Sequence, residues 1–262
     1  MVKFSRRDFL KMIGAAGVGI AAFGALERVL WARSDEKKIK GETKSSPYTW
    51  VSFLAGANET MSNVQSANQG DRLSQYRVQE VIPVIGETPA NIVPGWSITR
   101  VETTVPLLLE ESLTSSDSLV RFYGVTQNLH YTSDAQRQEL AKRARSEMEP
   151  SEDTTAVLIP IRKSGEWWKL AQDQRQAYFQ KSDNREGHTA IGAKYVDRVF
   201  RKLYHSRYLN AILDYDFLTY FEFNDAYRND FKTLLAELRD TNGNPEWNYV
   251  NREFEIWMTK TA

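Results

Sequence analysis

The sequence predicts an α+β fold, and three observations carry that prediction. Thr154–Lys163 is a β-branched run of strand length. After a helical stretch come two more strand-like segments, Arg198–Ser206 and Tyr215–Phe223, joined by a loop suited to a hairpin-like connection. Apolar Phe231, Leu234, Leu235 and Leu238 then recur at helical spacing before a last strand, Trp247–Thr259. Read in order, residues 151–262 are β-α-β-β-α-β, the ferredoxin-like split βαβ arrangement.

From the N-terminus, Ser5-Arg6-Arg7-Asp8-Phe9-Leu10-Lys11 precedes a weakly apolar, Gly/Ala-rich stretch from Met12 to Leu26. Paired arginines before a soft apolar segment are the organisation of a twin-arginine export signal, and residues 1–33 are read as that address. The apolar stretch falls short of the roughly 20 strongly apolar residues that a membrane span needs. Its best small-x-small site ends at Gly24, yet Ala25–Arg33 does not resemble a mature start. The expected location is therefore periplasmic, with a membrane anchor if the segment stays attached. Export in the folded state suits a protein that acquires a cofactor before it leaves the cytoplasm.

Residues 34–47, charged and without apolar periodicity, read as a linker. The first half, 48–150, offers short strand candidates separated by Gly, Pro and Asn, among them YTWVSFLAGA from Tyr48 and YRVQEVIPVI from Tyr76. Another strand is expected in Ser118–Tyr131, and Ser133-x-x-Gln136 has the form of a capping box opening a helix through about Arg145. The acidic segment Glu147–Asp153, with Pro150, divides the halves. In the second half Ser164 is placed to cap a helix starting near Glu166 and running toward Gly187-His188, and Asn224 to cap the later one.

Composition narrows the function. The 262 residues balance 34 Lys and Arg against 34 Asp and Glu, and the basic group Arg198, Arg201, Lys202 and Arg207 is only local. A nucleic-acid partner, which needs a basic excess to displace counterions, is not expected. With no cysteine, disulfides, thiolate chemistry, iron–sulfur clusters and covalent c-type haem attachment are excluded. Three histidines, His130, His188 and His205, are the only imidazoles available as a metal ligand. Alternation on a strand puts His205, Leu203 and Arg201 on one face. On the residues alone, the ligand role stays open between His188, His205 and neither. An arginine on a strand is ordinarily a solvated or ion-paired side chain.

The stretch His188–Ser206, HTAIGAKYVDRVFRKLYHS, sets a histidine thirteen positions before Arg201. With IPIRKSGEWW (Ile159–Trp168), YDFLTYFEF (Tyr215–Phe223) and EWNYVNREFEI (Glu246–Ile256) in this order, it resembles the signature of the chlorite dismutase family. The resemblance covers most of the second half and is faint over 48–117, from which no residue is carried over. It implies two ferredoxin-like units whose sheets form a dimeric α+β barrel. It implies non-covalent haem b with His188 as proximal iron ligand and Arg201 as the charged side chain of the distal pocket. Glu246 would take the ligand's other ring proton, with Glu222 as the alternative, and Tyr131, Lys163, Trp167 and Trp168 would line the haem or reach its propionates. The implied activity converts chlorite to chloride and dioxygen through a ferryl species and hypochlorite, which Arg201 retains. The alternatives are an exported haem-binding or peroxidase-like relative without chlorite activity, and a coprohaem decarboxylase. Coprohaem decarboxylases, however, are cytoplasmic and carry glutamine where this chain has Arg201. The ending NYVNREFEIW resembles the shorter, dimer-forming branch, so the expected partners are chlorite, the twin-arginine machinery and a second copy of the chain, as a dimer rather than a pentamer.

Overall fold

The computed structural model describes residues 49–57, 72–87, 92–104, 119–126, 138, 142–183, 185–207, 209 and 215–262. The export signal, the linker, Tyr131, His130 and most of the helix expected after Ser133 lie outside these residues. Among those described, eight strands run β1 (Trp50–Gly56), β2 (Arg72–Ile85), β3 (Ser97–Thr103), β4 (Leu119–Val125), β5 (Thr154–Lys163), β6 (Phe200–His205), β7 (Phe217–Asn224) and β8 (Val250–Lys260). They close into a barrel in the order β1-β3-β2-β8-β5-β7-β6-β4, every neighbour antiparallel. Each half of the chain supplies four adjacent strands. The halves join along an extensive β2/β8 seam and at the single pair Val125↔His205 between β4 and β6.

Strand alternation sorts the side chains into two cores. Ala156, Leu158, Tyr204, Leu218, Tyr220, Phe254 and Ile256 point into the barrel with Phe53 and Phe122 of the first half. Val157, Ile159, Ile161, Phe221, Phe223 and Trp257 point outward, where they meet Phe231, Leu234, Leu235 and Leu238 of a helix. Strand β5 is thus buried on both faces, which is why its sequence is a continuous apolar run and not an alternating one.

Four short helices complete the second half: α1 (Gly165–Lys169), α2 (Gln172–Phe179), α3 (Gly187–Ala193) and α4 (Arg228–Arg239). The single helix expected between Glu166 and Gly187 is broken, because Leu170, Ala171 and Gln180 adopt extended backbone at ψ 139°, 162° and 148°. Ser164 occupies the cap position of α1 without a side-chain capping bond; its N–H donates instead to Tyr249 O at 2.7 Å. Asn224 does cap, accepting from Ala226 N at 3.0 Å, and opens a 3-10 turn, Asp225–Tyr227, that leads into α4. The first residues expected in the last strand form a 3-10 turn instead, Pro245–Tyr249.

Candidate functional site

The site lies on the outer face of the second-half strands, beside α3. Gly187 delivers it: its φ of +74° is left-handed, and a Cβ there would stand 2.4 Å from Gln180 O. Only glycine lets the chain pass so close and place His188 in the first turn of α3. The 3-10 turn after Pro245 brings Glu246 to meet it. His188 Nδ1 lies 2.9 Å from Glu246 Oε2, and Lys163 Nζ, from the end of β5, lies 2.7 Å from Glu246 Oε1. Lys163 and Glu246 are each 4% exposed. The Lys163 ammonium also sits over two indole rings, 4.8 Å from Trp167 and 5.1 Å from Trp247. Phe179 and Trp247 flank the imidazole at 5.5 Å and 6.3 Å.

Electrostatics fix the protonation state of this trio. Burial by itself would raise the Glu246 carboxyl, but the neighbouring Lys163 and His188 outweigh it and hold the group at about 2. An ionised carboxylate only accepts, so Nδ1 of His188 must carry the proton. Burial lowers the His188 pKa; Glu246 opposes this, and the positive charges of Arg201 and Lys163 act in the same sense as burial. The imidazole is therefore neutral, with its Nε2 lone pair free for a metal.

Arg201 stands on the outer face of β6, opposite in parity to Tyr204 and paired across the sheet with Phe221. Its side chain is solvent-accessible, yet burial lowers its pKa and only the charge of Glu246 opposes this. Among the described residues no carboxylate lies within ion-pair distance of Arg201. Its charge acts on both His188 and Glu246.

The residues also show what this face suits. No group of three or more His, Cys, Asp or Glu able to hold a bare metal ion occurs among the described residues. One neutral imidazole fits instead an iron whose other ligands come from a macrocycle. Trp167 is 2% exposed and its Nε1–H has no partner among the described residues. A desolvated donor of this kind fits a carboxylate such as a haem propionate.

Of the residues singled out in the sequence, Lys163, Trp167, His188, Arg201 and Glu246 are thus brought together, with Lys163 spent on Glu246. Trp168 lies alongside, its indole N–H donating to Asp216 Oδ2 at 3.3 Å and its ring stacked on Phe217 at 5.9 Å. His205 packs edge-on against Phe217 at 5.0 Å. Glu222 points into the barrel, where Lys260 Nζ approaches at 2.9 Å and Met148 N–H donates at 2.7 Å. Tyr131 is outside the described residues. Sequence reasoning missed Trp247, Phe179 and Asp216. Trp247 and Asp216 lie within the EWNYVNREFEI and YDFLTYFEF segments, which was the available signal; Phe179 gave none.

A model of the chlorite dismutase family matches residues 99–260. Chlorite dismutase of Ideonella dechloratans is 31% identical over 134 residues, a stretch that is 50% of this chain and 44% of that protein, so the match spans under half of the relative's length. Among solved structures, dimeric chlorite dismutase from Nitrobacter winogradskyi is 27% identical with a TM-score of 0.55, over 79% of this chain and 99% of that one. Chlorite dismutase from Candidatus Nitrospira defluvii in complex with imidazole has a TM-score of 0.56 at 21% identity, over 84% and 93% of the two chains. That last likeness is one of fold.

Proposed function

This chain belongs to the chlorite dismutase family, and on that premise we propose that it is a haem b-dependent enzyme converting chlorite to chloride and dioxygen. The observation that carries the proposal is the pairing of a neutral His188, held by ionised Glu246, with an Arg201 that has no carboxylate partner among the described residues. Haem, when bound, supplies the redox-active iron that these side chains lack. His188 would ligate it through Nε2. Glu246 keeps the other ring nitrogen protonated and the imidazole electron-rich, and Lys163 keeps Glu246 ionised. Trp167 Nε1–H would donate to a propionate, and Phe179 and Trp247 shield the imidazole from water. With no cysteine in the chain, the group is held without covalent attachment.

Arg201 binds and retains the oxyanion. A guanidinium stays cationic at any working pH, so it serves as a fixed charge and never as a base. The reaction suits that limit: chlorite becomes chloride and dioxygen with no net proton or external electron consumed. Substituting glutamine for Arg201 keeps a polar side chain but removes the charge. We expect Arg201→Gln to bind haem normally, turn over about 10- to 1000-fold more slowly and leak hypochlorite. Oxygen yield and trapped hypochlorite, measured together, check this. Equal rate, lifetime and leakage in the two proteins would leave a haem-binding or peroxidase-like protein as the better reading.

The assembly and address belong to the same reading. The order β8-β5-β7-β6, with helices crossing between β5 and β6 and between β7 and β8, supports reading residues 154–260 as a ferredoxin-like unit. The first-half strands would form the second unit, and two copies of the chain a dimer. The SRRDFLK sequence from Ser5 supports export by the twin-arginine route to the periplasm. Replacing Arg6 and Arg7 with lysine should leave folded, haem-bound protein in the cytoplasm; undiminished recovery from the periplasm would speak against the route.

A further inference from the structure

Three tryptophans surround the candidate site, and each carries a cation on its ring. Lys163 Nζ lies 4.8 Å from the Trp167 ring and 5.1 Å from Trp247. The Arg207 guanidinium lies 3.6 Å from the ring centre of Trp168, in van der Waals contact, with Arg175 at 5.6 Å. We propose that these cations protect the indoles from electrophilic oxidation, with Arg207 as the guard of Trp168. The inference rests on reading the site as one that generates hypochlorite, an electrophile to which electron-rich indoles beside the site are susceptible.

The physical reason lies in the attack itself. Hypochlorous acid delivers chlorine as an electrophile to indole C3; the ring nitrogen loses its proton, water adds at C2 and chloride departs. Indole and hypochlorous acid thus give oxindole, chloride and a proton, the ring losing two electrons and the chlorine gaining them. Positive charge builds on the ring in the transition state, so a cation that is attracted to the neutral π face becomes repelled by the reacting one. Trp168 needs this most. Its N–H donates to Asp216 Oδ2, a carboxylate that would accept the departing proton and so favour attack. The same carboxylate, through Oδ1, lies 3.6 Å from Arg207 Nε and helps to hold the guanidinium where it opposes the effect.

Reagent hypochlorite tests the guard without relying on turnover. The full-length parent, Arg207→Met and Arg207→Lys are each treated with substoichiometric hypochlorite, and oxindole at Trp168 and Trp167 is quantified by peptide mass spectrometry. Methionine keeps length and apolar cover but no charge; lysine keeps the charge. We expect Trp168 to oxidise about 2- to 30-fold faster in Arg207→Met, near the parental rate in Arg207→Lys, and Trp167 to be unchanged in both. Hydroxyl-radical labelling, which reports exposure rather than electron density, should be equal at Trp168 in all three. Equal oxidation in parent and Arg207→Met, equal acceleration by Met and Lys, or labelling that rises in step with oxidation would overturn the proposal. Should Arg207→Met fail to fold, Arg175→Met is read on Trp168 in the same way. Absence of oxygen evolution from chlorite by the parent would sink the functional reading while leaving this chemical result to stand by itself.

Discussion

His188 and His205 carry the same ring and differ only in what surrounds it. His188 faces an ionised carboxylate that takes its Nδ1 proton in a hydrogen bond, whereas His205 packs on the edge of Phe217. His188→Ala removes an imidazole held by a carboxylate as a ligand would be, so most bound haem should be lost. His205→Ala removes packing and local contacts only, so a near-native Soret band should remain. Absorption spectra of the two variants, purified identically, decide the matter; a native band in His188→Ala would defeat the ligand assignment. The sequence left this choice open for a physical reason. Alternation placed His205 with Arg201 on one strand face, which is where both lie, but a strand pattern carries no information on which loop will supply a carboxylate. Glu246 reaches His188 across 58 residues of chain, through a turn that local propensity does not specify.

At the scale of elements, legibility followed burial. Strand β5 was readable to its ends because both faces are apolar, and α4 because its four buried positions recur at 3, 4 and 7 residues from Phe231. The stretch after β5 was not readable. Its break into three helices comes from extended residues at Leu170, Ala171 and Gln180, and none of these residue types stops a helix by itself. The break matters to the site, since the last helix must begin at Gly187 to present His188. Gly187→Ala should therefore cost about 1–3 kcal/mol or more, from left-handed backbone and a Cβ against Gln180 O, and should weaken haem binding as His188 shifts. Gly192, in the same helix, is the control: among the described residues nothing stands within 4 Å of the position a Cβ would take there. Gly192→Ala should be neutral or stabilising by about 0.5–1 kcal/mol. Urea unfolding midpoints of the two variants compare them directly; equal midpoints would remove the strain argument.

The molecule as a whole holds a second ionic cluster, inside the barrel and separate from the site. Arg100, 2% exposed, pairs with Glu102 at 2.8 Å and Glu147 at 2.7 Å, Lys202 reaches Glu102 at 2.7 Å and Lys260 reaches Glu222 at 2.9 Å. Tyr204 donates to Glu102 and Tyr220 to Glu222. The cluster draws residues from both halves, so the segment around Glu147, read in the sequence as a divider, in fact inserts a carboxylate among the barrel's charges and helps to join the halves. Sequence periodicity could not show this, because charged residues at interior strand positions contradict the apolar alternation that marks a core. Burial raises the Glu102 and Glu147 pKa values, but Arg100 and the other cations outweigh it and leave both below the ordinary carboxylate value. A folded-state pKa below the unfolded one contributes stability that is full above the unfolded value and is lost as pH falls through the folded one. The barrel should therefore hold its stability at neutral pH and lose it below about pH 4. Arg100→Met leaves buried carboxylates without their cation, which should cost about 3–5 kcal/mol at neutral pH. It should also flatten the acid limb, since the two carboxyls would no longer sit so far below their unfolded values. Urea midpoints for parent and variant across the acid-to-neutral range measure both effects; curves that run parallel on the acid side would show that the cluster does not govern acid stability.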